Sequence, residues 1–313
     1  MILSRRAALA ALAAGISLLS GAAGADEKYP SRPIEVIVPW GPGGGADQLG
    51  RILAKLAEPT LGVSMPVVNV AGANGVTGLT KMLTAEPDGY TISVMTGDTF
   101  AMLATSQPKW TFGDFTTLGV MIRQPSAFFV AQDSKHKSWA DLEAAAKAGP
   151  VKVAITGFGS PDEMTINYFN RKGAKFVAVP FPRPGERYSA ILGGHADVLY
   201  EQLGDVRSFL DGKQMRPLLI FAKERHPDFK DVPVSTELGH DITLPQIRMV
   251  IAPAKIDPQR AALLSETLAK IAREPEYAAY LVDQYADPNS FVAGPEARKF
   301  LEGELAAMKR LAK

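Results

Sequence analysis

Two periods of hydrophobic spacing alternate along this chain. Ile34-Glu35-Val36-Ile37-Val38 is a β-branched run bounded by Pro33 and Pro39, which predicts a strand. Leu49, Ile52, Leu53 and Leu56 then recur at helical spacing, with Asp47 before them as an N-cap or first-turn residue. A second strand is expected over 65–70, a helix over 76–83 and a third strand over 90–96. The pattern resumes with strands over 127–130, 151–156, 176–179, 196–200, 215–221 and 247–252. Helices fall at 139–148, from Pro161, at 187–192, and at 259–272, 275–285 and 295–311. This order predicts an α/β fold with mixed, mainly parallel sheets. The stretches at about 30–127 and 128–245 read as two lobes joined by short crossovers, since no Pro/Gly/Ser linker separates them.

The first 25 residues follow a different pattern. Arg5 and Arg6 precede a short apolar run over 7–19, and Ala23-Gly24-Ala25 supplies small residues for cleavage. This is the secretory arrangement, with cleavage expected after Ala25. The run is shorter than the ~20 residues that span a bilayer. The mature chain is therefore expected outside the cytoplasm, where ATP and NAD are scarce.

Composition narrows the chemistry. The chain has 313 residues, with 34 Lys plus Arg against 33 Asp plus Glu. It lacks the basic excess of a nucleic-acid binder. It has no cysteine, so disulfides, thiolate metal sites and cysteine nucleophiles are all excluded. None of His136, His195, His226 and His240 is spaced as a metal pair, and no G-x-S-x-G elbow occurs. His136, within Lys-His-Lys, reads as solvated. No enzyme, metal or cofactor is implied.

Three glycine-rich loops each follow a strand and precede a helix. The first contains Trp40, Gly41, Gly43, Gly44 and Gly45; the second is Gly72-Ala73-Asn74-Gly75; the third is Thr156-Gly157-Phe158-Gly159-Ser160. N–H groups at a helix start favour an anion, and glycine lets a ligand approach the backbone. Ligands of open α/β sheets bind beyond the carboxyl ends of the strands, where all three loops lie. Each loop alone could be an ordinary tight turn. The dinucleotide reading of Gly41-Pro42-Gly43-Gly44-Gly45-Ala46 fails because the second strand ends in Val68-Asn69-Val70 without an acid. A P-loop fails because no Gly-Lys-Ser/Thr follows.

Other candidates flank these loops. Trp40 and Phe181 line a cleft or pack ordinarily. Thr96, Asp98 and Thr99 end the third strand, pointing into the cleft or capping a turn. Ser160 binds a carboxylate or caps the helix at Pro161. Asp47 and Asp197 read as structural, because a carboxylate repels an anion. Glu201 follows a strand and, if it faces the cleft, favours a ligand with an amine or hydroxyl. Arg183 and Arg187 pair a second ligand carboxylate or are solvated.

Several strings then carry a resemblance over nearly the whole mature chain. They are Tyr29-Pro30-Ser31-Arg32-Pro33-Ile34, Val38 through Asp47, Asn69 through Gly78, and Pro87-Asp88-Gly89-Tyr90-Thr91. Val179-Pro180-Phe181, Leu192 through Val198, Asp231-Val232-Pro233 and Glu237-Leu238-Gly239 follow in order. The chain resembles the Bug family, the periplasmic solute receptors of tripartite tricarboxylate transporters. The resemblance implies a two-lobed periplasmic-binding-protein fold of type II, with the ligand cleft between the lobes. It places a signal peptide at 1–25, the first lobe at 26–127 plus 248–313, and the second at 128–247.

The resemblance also implies a monomer that binds a small organic acid and delivers it to a membrane permease. Backbone amides, hydroxyls and waters, not a salt bridge, would be the main anchors. A sensor feeding a membrane signalling kinase and an exported enzyme are the alternatives. The chain departs from the family at Phe181-Pro182-Arg183-Pro184-Gly185, where Tyr-Lys-Gly is common. It departs again at Phe158 within the third loop, and at Trp40, where Phe is more usual.

Overall fold

A computed structural model describes residues 28–313, so the expected signal segment lies outside the described residues. The fold lies within the compact unit Arg32–Lys313. Strand β1 (Glu35–Val38) leads through the first glycine-rich loop into α1 (Gly45–Leu61). Strand β2 (Val67–Asn69), helix α2 (Val76–Leu83) and strand β3 (Thr91–Thr96) follow. Helix α3 (Gly97–Thr105) and the long strand β4 (Phe115–Gln124) complete this part.

After a single residue, Pro125, the chain enters β5 (Ser126–Ala131) of a second sheet. Helix α4 (Trp139–Ala148), β6 (Val151–Ile155), α5 (Pro161–Arg171), β7 (Phe176–Pro180) and α6 (Pro184–Leu192) alternate. Then come β8 (Val198–Gln202), α7 (Arg207–Asp211) and β9 (Met215–Phe221). The chain returns with β10 (Gln246–Pro253), α8 (Pro258–Ile271), α9 (Pro275–Asp283), β11 (Val292–Ala293) and α10 (Gly294–Leu311).

The first sheet has the order β11-β4-β10-β3-β1-β2, and the second β7-β6-β8-β5-β9. β1 runs parallel to β2 and β3, and β6 runs parallel to β7 and β8. These are the βαβ halves visible in the hydrophobic spacing. The strands on either side of the crossovers are antiparallel: β10 with β3 and β4, and β5 with β8 and β9. The architecture is a two-lobed α/β fold with mixed sheets. α8 packs on β4 and α1, and α10 on β4 and α3, so the C-terminal helices return to the first sheet.

The second sheet is organised around Phe128, which is fully buried. Its ring meets those of Trp139, Phe169, Phe176, Tyr200 and Phe221 at 5.0–6.1 Å between centroids. The Trp139 ring is stacked and the other four are edge or tilted, arrangements that suit the ring quadrupole. Trp139 is delivered by the start of α4, where Ser138 and Asp141 form a reciprocal capping box.

Candidate ligand-binding cleft

The first loop is fixed by a side chain that sequence reasoning set aside. Asp47 lies in the first turn of α1 but does not cap it; Gly44 is the N-cap. Its carboxylate accepts from the Gly43 N–H at 3.0 Å, from Arg51 Nε at 2.9 Å and from Asn69 Nδ2 at 2.9 Å. Burial opposes its charge, but Arg51, the Gly43 N–H and Asn69 outweigh that and hold its pKa below the ordinary value. Asp47 thus staples β2 and the loop to α1, whose first turn lies against Pro184 and Asp205 of the second half.

There the structure leaves a small, partly open cavity of about 30 Å³. Trp40, Gly44, Gly45, Ala46, Thr96 and Asp98 line it from the first-sheet side, and Thr156, Pro184, Arg187 and Glu201 from the second. Gln202, Asp205, Gln246 and Arg248 complete the wall. Outside this wall, two hydrogen bonds bridge the lobes. Asn74 Nδ2 donates to the Phe158 carbonyl at 3.3 Å, and Thr105 Oγ1 donates to the Gly159 carbonyl at 2.8 Å.

Two buried ion pairs dominate the cavity. Arg187 Nε and Nη2 donate to Glu201 Oε2 at 3.0 and 2.5 Å, while Nη1 donates to the Phe181 carbonyl. Burial opposes the charge on Arg187, yet Glu201 beside it holds the guanidinium protonated. Arg248 Nη2 donates to Asp205 Oδ2 at 2.5 Å, and its Nη1 to Gln124 Oε1 at 2.8 Å. Gln124 Nε2 donates in turn to Asp205 Oδ1 at 3.2 Å. Gly45 is glycine for a steric reason. A Cβ there would lie 2.3 Å from Asp205 Oδ1 and 2.4 Å from Arg248 Nη2.

Two further acids are buried. Burial pushes Asp98 above the ordinary carboxylate range. Burial, reinforced by Asp98 nearby, pushes Asp162 up to about 8. Asp162 Oδ2 accepts from the Thr156 N–H at 2.8 Å and so shapes the third loop.

Of the residues picked from sequence, Trp40, Gly44, Gly45, Thr96, Asp98, Thr156 and Glu201 come together in this wall. Trp40 is held by its indole, which donates to Thr96 Oγ1 at 3.2 Å. Gly41, Gly43, Asn74, Gly75, Thr99, Gly157, Gly159, Ser160 and Phe181 lie outside it. Thr99 Oγ1 donates to the Asn74 carbonyl. Gly75 has φ +86° with Thr99 pressed against it, so its glycine serves the turn. Ser160 takes the capping role: Oγ accepts from the Glu163 N–H and donates to the Gly157 carbonyl. Phe181 packs against the second-sheet core.

Glu201 faces the cavity, but Arg187 neutralises it. Arg183 is exposed and paired with Glu186, whereas Arg187 is buried rather than solvated. His136 is also buried rather than solvated, and Arg216 donates to its carbonyl. Gln124, Gln202, Asp205, Gln246 and Arg248 were missed. A signal existed: Gln124 and Gln202 end apolar strands, and Arg248 interrupts one. Among the described residues there is no cluster of three His, Cys, Asp or Glu suited to a metal, and no helix long and apolar enough to cross a membrane.

Residues 49–313 match the sequence profile of the tripartite tricarboxylate transporter family receptors. The chain belongs to this family. Its members are solute-binding receptors rather than enzymes. BugT of Bordetella pertussis is 28% identical over 288 residues, covering 89% of this chain and 88% of BugT. A TctC solute-binding protein from Polaromonas, solved without ligand, is 27% identical and superposes with a TM-score of 0.67 over 90% of this chain and 98% of that one. MatC from Rhodopseudomonas palustris, solved with bound malate, is 23% identical; the TM-score is 0.83 over 91% of this chain and all of MatC.

Proposed function

We propose that this family receptor works in the periplasm, captures a small organic acid between its lobes and presents it to the membrane permease of a tripartite transporter. One observation carries the reading: the small cavity between the two sheets, with the first turn of α1 and polar side chains of both halves in its wall. N–H groups at a helix start favour an anion. The malate held by MatC, on the same fold, supports carboxylates as the ligand class.

Family membership supports the permease as partner, and the secretory pattern of residues 1–25 supports the compartment. The receptor acts as a monomer without a cofactor. Its two lobes are built on the two sheets, the first holding β4 and β10 and the second holding β5 to β9. They pivot at the two crossovers, at Pro125 and between Phe221 and Gln246. Ligand stabilises the closed form through contacts that only closure completes.

The test is a thermal-shift panel of organic acids on protein unfolded and refolded to strip ligand. A ligand at one hundred times its Kd adds about 2.7 kcal/mol of stability. That raises the midpoint by roughly 2 °C per kcal/mol or more. A rise with one class of acid is expected. No rise with any acid, alongside shifts from sugars or amines alone, would overturn the reading.

A further inference from the structure

Both arginines of the cavity wall are already matched by acids of the protein itself, Arg187 by Glu201 and Arg248 by Asp205. Asp98 is not. It stands in the first turn of α3, is only 5% exposed and lines the cavity. Its Oδ2 accepts from Gln246 Nε2 at 2.7 Å. The orientation of that amide is fixed, because Gln246 Oε1 accepts from the Gly97 N–H at 2.8 Å and a backbone N–H can only donate. Oδ2 is therefore an acceptor. Oδ1 is buried with no hydrogen-bond partner. A buried carboxylate oxygen without a donor is costly.

The electrostatic surroundings do not remove this deficit. Arg187, Arg248 and the Thr96 hydroxyl favour the charged form of Asp98, yet burial outweighs them. Asp162, Glu201 and Tyr200 also feel the Asp98 charge, and each is disfavoured by it. A second carboxylate on a ligand would find no unpaired cation among the described lining residues, and it would meet Asp98. An ammonium group would supply both the missing donor and the missing charge.

Resting on the receptor reading above, we propose that the cargo is a small aminocarboxylate and that Asp98 Oδ1 receives its ammonium group. The cargo's carboxylate takes the first turn of α1, and Asp98 sets the specificity. Glu201, the acid singled out from sequence for this role, is spent on Arg187.

The test is titration calorimetry on ligand-stripped protein with matched pairs: β-alanine against propionate, 4-aminobutyrate against butyrate, and each common amino acid against its deamino acid. The amino member of at least one pair should bind tenfold or more tightly than its partner. Asp98→Asn keeps an acceptor for Gln246 and removes the charge. It should erase that preference, weakening the amino member at least tenfold more than its deamino partner. The wild-type comparison stands even if the variant fails to fold. Binding of the amino member should release a proton, read from two buffers of different ionisation enthalpy. Deamino acids or succinate binding as tightly as the amino members would overturn the inference and leave the receptor reading intact. So would proton uptake with a plain carboxylate, which would make Asp98 a donor. No binding by any acid, amino or plain, would overturn the receptor reading as well.

Discussion

The two buried ion pairs of the cleft have the same chemistry and different consequences. Each has a 2.5 Å contact and side chains at most 6% exposed. Arg187–Glu201 joins α6 to β8 within the second sheet's half. Arg248–Asp205 joins β10 of the first sheet to the segment after β8 of the second. In the closure proposed above, relative motion of the lobes leaves the first pair intact, but the second exists only when the lobes are together. A buried pair carries a desolvation penalty wherever it lies. Only for the cross-lobe pair does opening return both charges to water, so only that pair biases the open–closed equilibrium.

Arg248→Ala should have the largest effect. It leaves Asp205 buried and uncompensated, a loss of about 3–5 kcal/mol in the closed form. Opening relieves the charge, so part of the loss should appear as an expanded protein in small-angle scattering. Arg187→Ala strands Glu201 at a similar ~3–5 kcal/mol, but opening offers no relief. Denaturant unfolding should then report the whole loss with the scattering profile unchanged. Equal expansion in both variants would erase the distinction.

Gly45→Ala sharpens the contrast from the other side. Its Cβ would collide with Asp205 and Arg248, so the closed form is blocked without removing a charge. Ligand affinity should fall at least tenfold while the unfolding midpoint moves little. Unchanged affinity in calorimetry would mean that the close approach is dispensable.

Asp162 predicts a pH effect. Its folded pKa of about 8 lies far above its ordinary value of 3.8. Between those values the folded protein holds a proton that the unfolded chain has lost. This contribution to stability is fully present below the ordinary value, falls as pH rises and levels off above the folded value. Asp162→Asn should flatten the decline in melting temperature between pH 5 and pH 8. The same decline in the variant would contradict the assignment. Ser138→Ala removes a cap remote from the cleft and should cost about 1 kcal/mol with no change in affinity. Any change in affinity would mean that the second lobe is not a rigid support.

The sequence was legible where a residue's neighbours are local. Helices 76–83 and 139–148 were read with their bounds, because their apolar spacing and start signals are self-contained. The segment 97–124 was not read. α3 opens directly from β3 without a side-chain cap, and β4 interrupts its apolar run with Gly119 against Phe291. The first loop was recognised as part of a site, but its occupant was not. The space at Gly45 belongs to Asp205, which lies 160 positions away in sequence. Arg248 and Gln124 are 124 positions apart, and periodicity carries no information on pairings of that kind. Read from sequence, Glu201 selects for an amine or hydroxyl and Arg187 pairs a ligand carboxylate or is solvated; in the fold the two pair with each other.

The central claim is that the cavity forms by closure around ligand, with Arg248–Asp205 as the closed-state contact. The most direct measurement is small-angle scattering of stripped Arg248→Ala protein, before and after saturation with the acid found in the thermal-shift panel. The account predicts a larger radius of gyration than wild type without ligand and recovery of the wild-type value with it. Profiles identical to wild type in both states would contradict it.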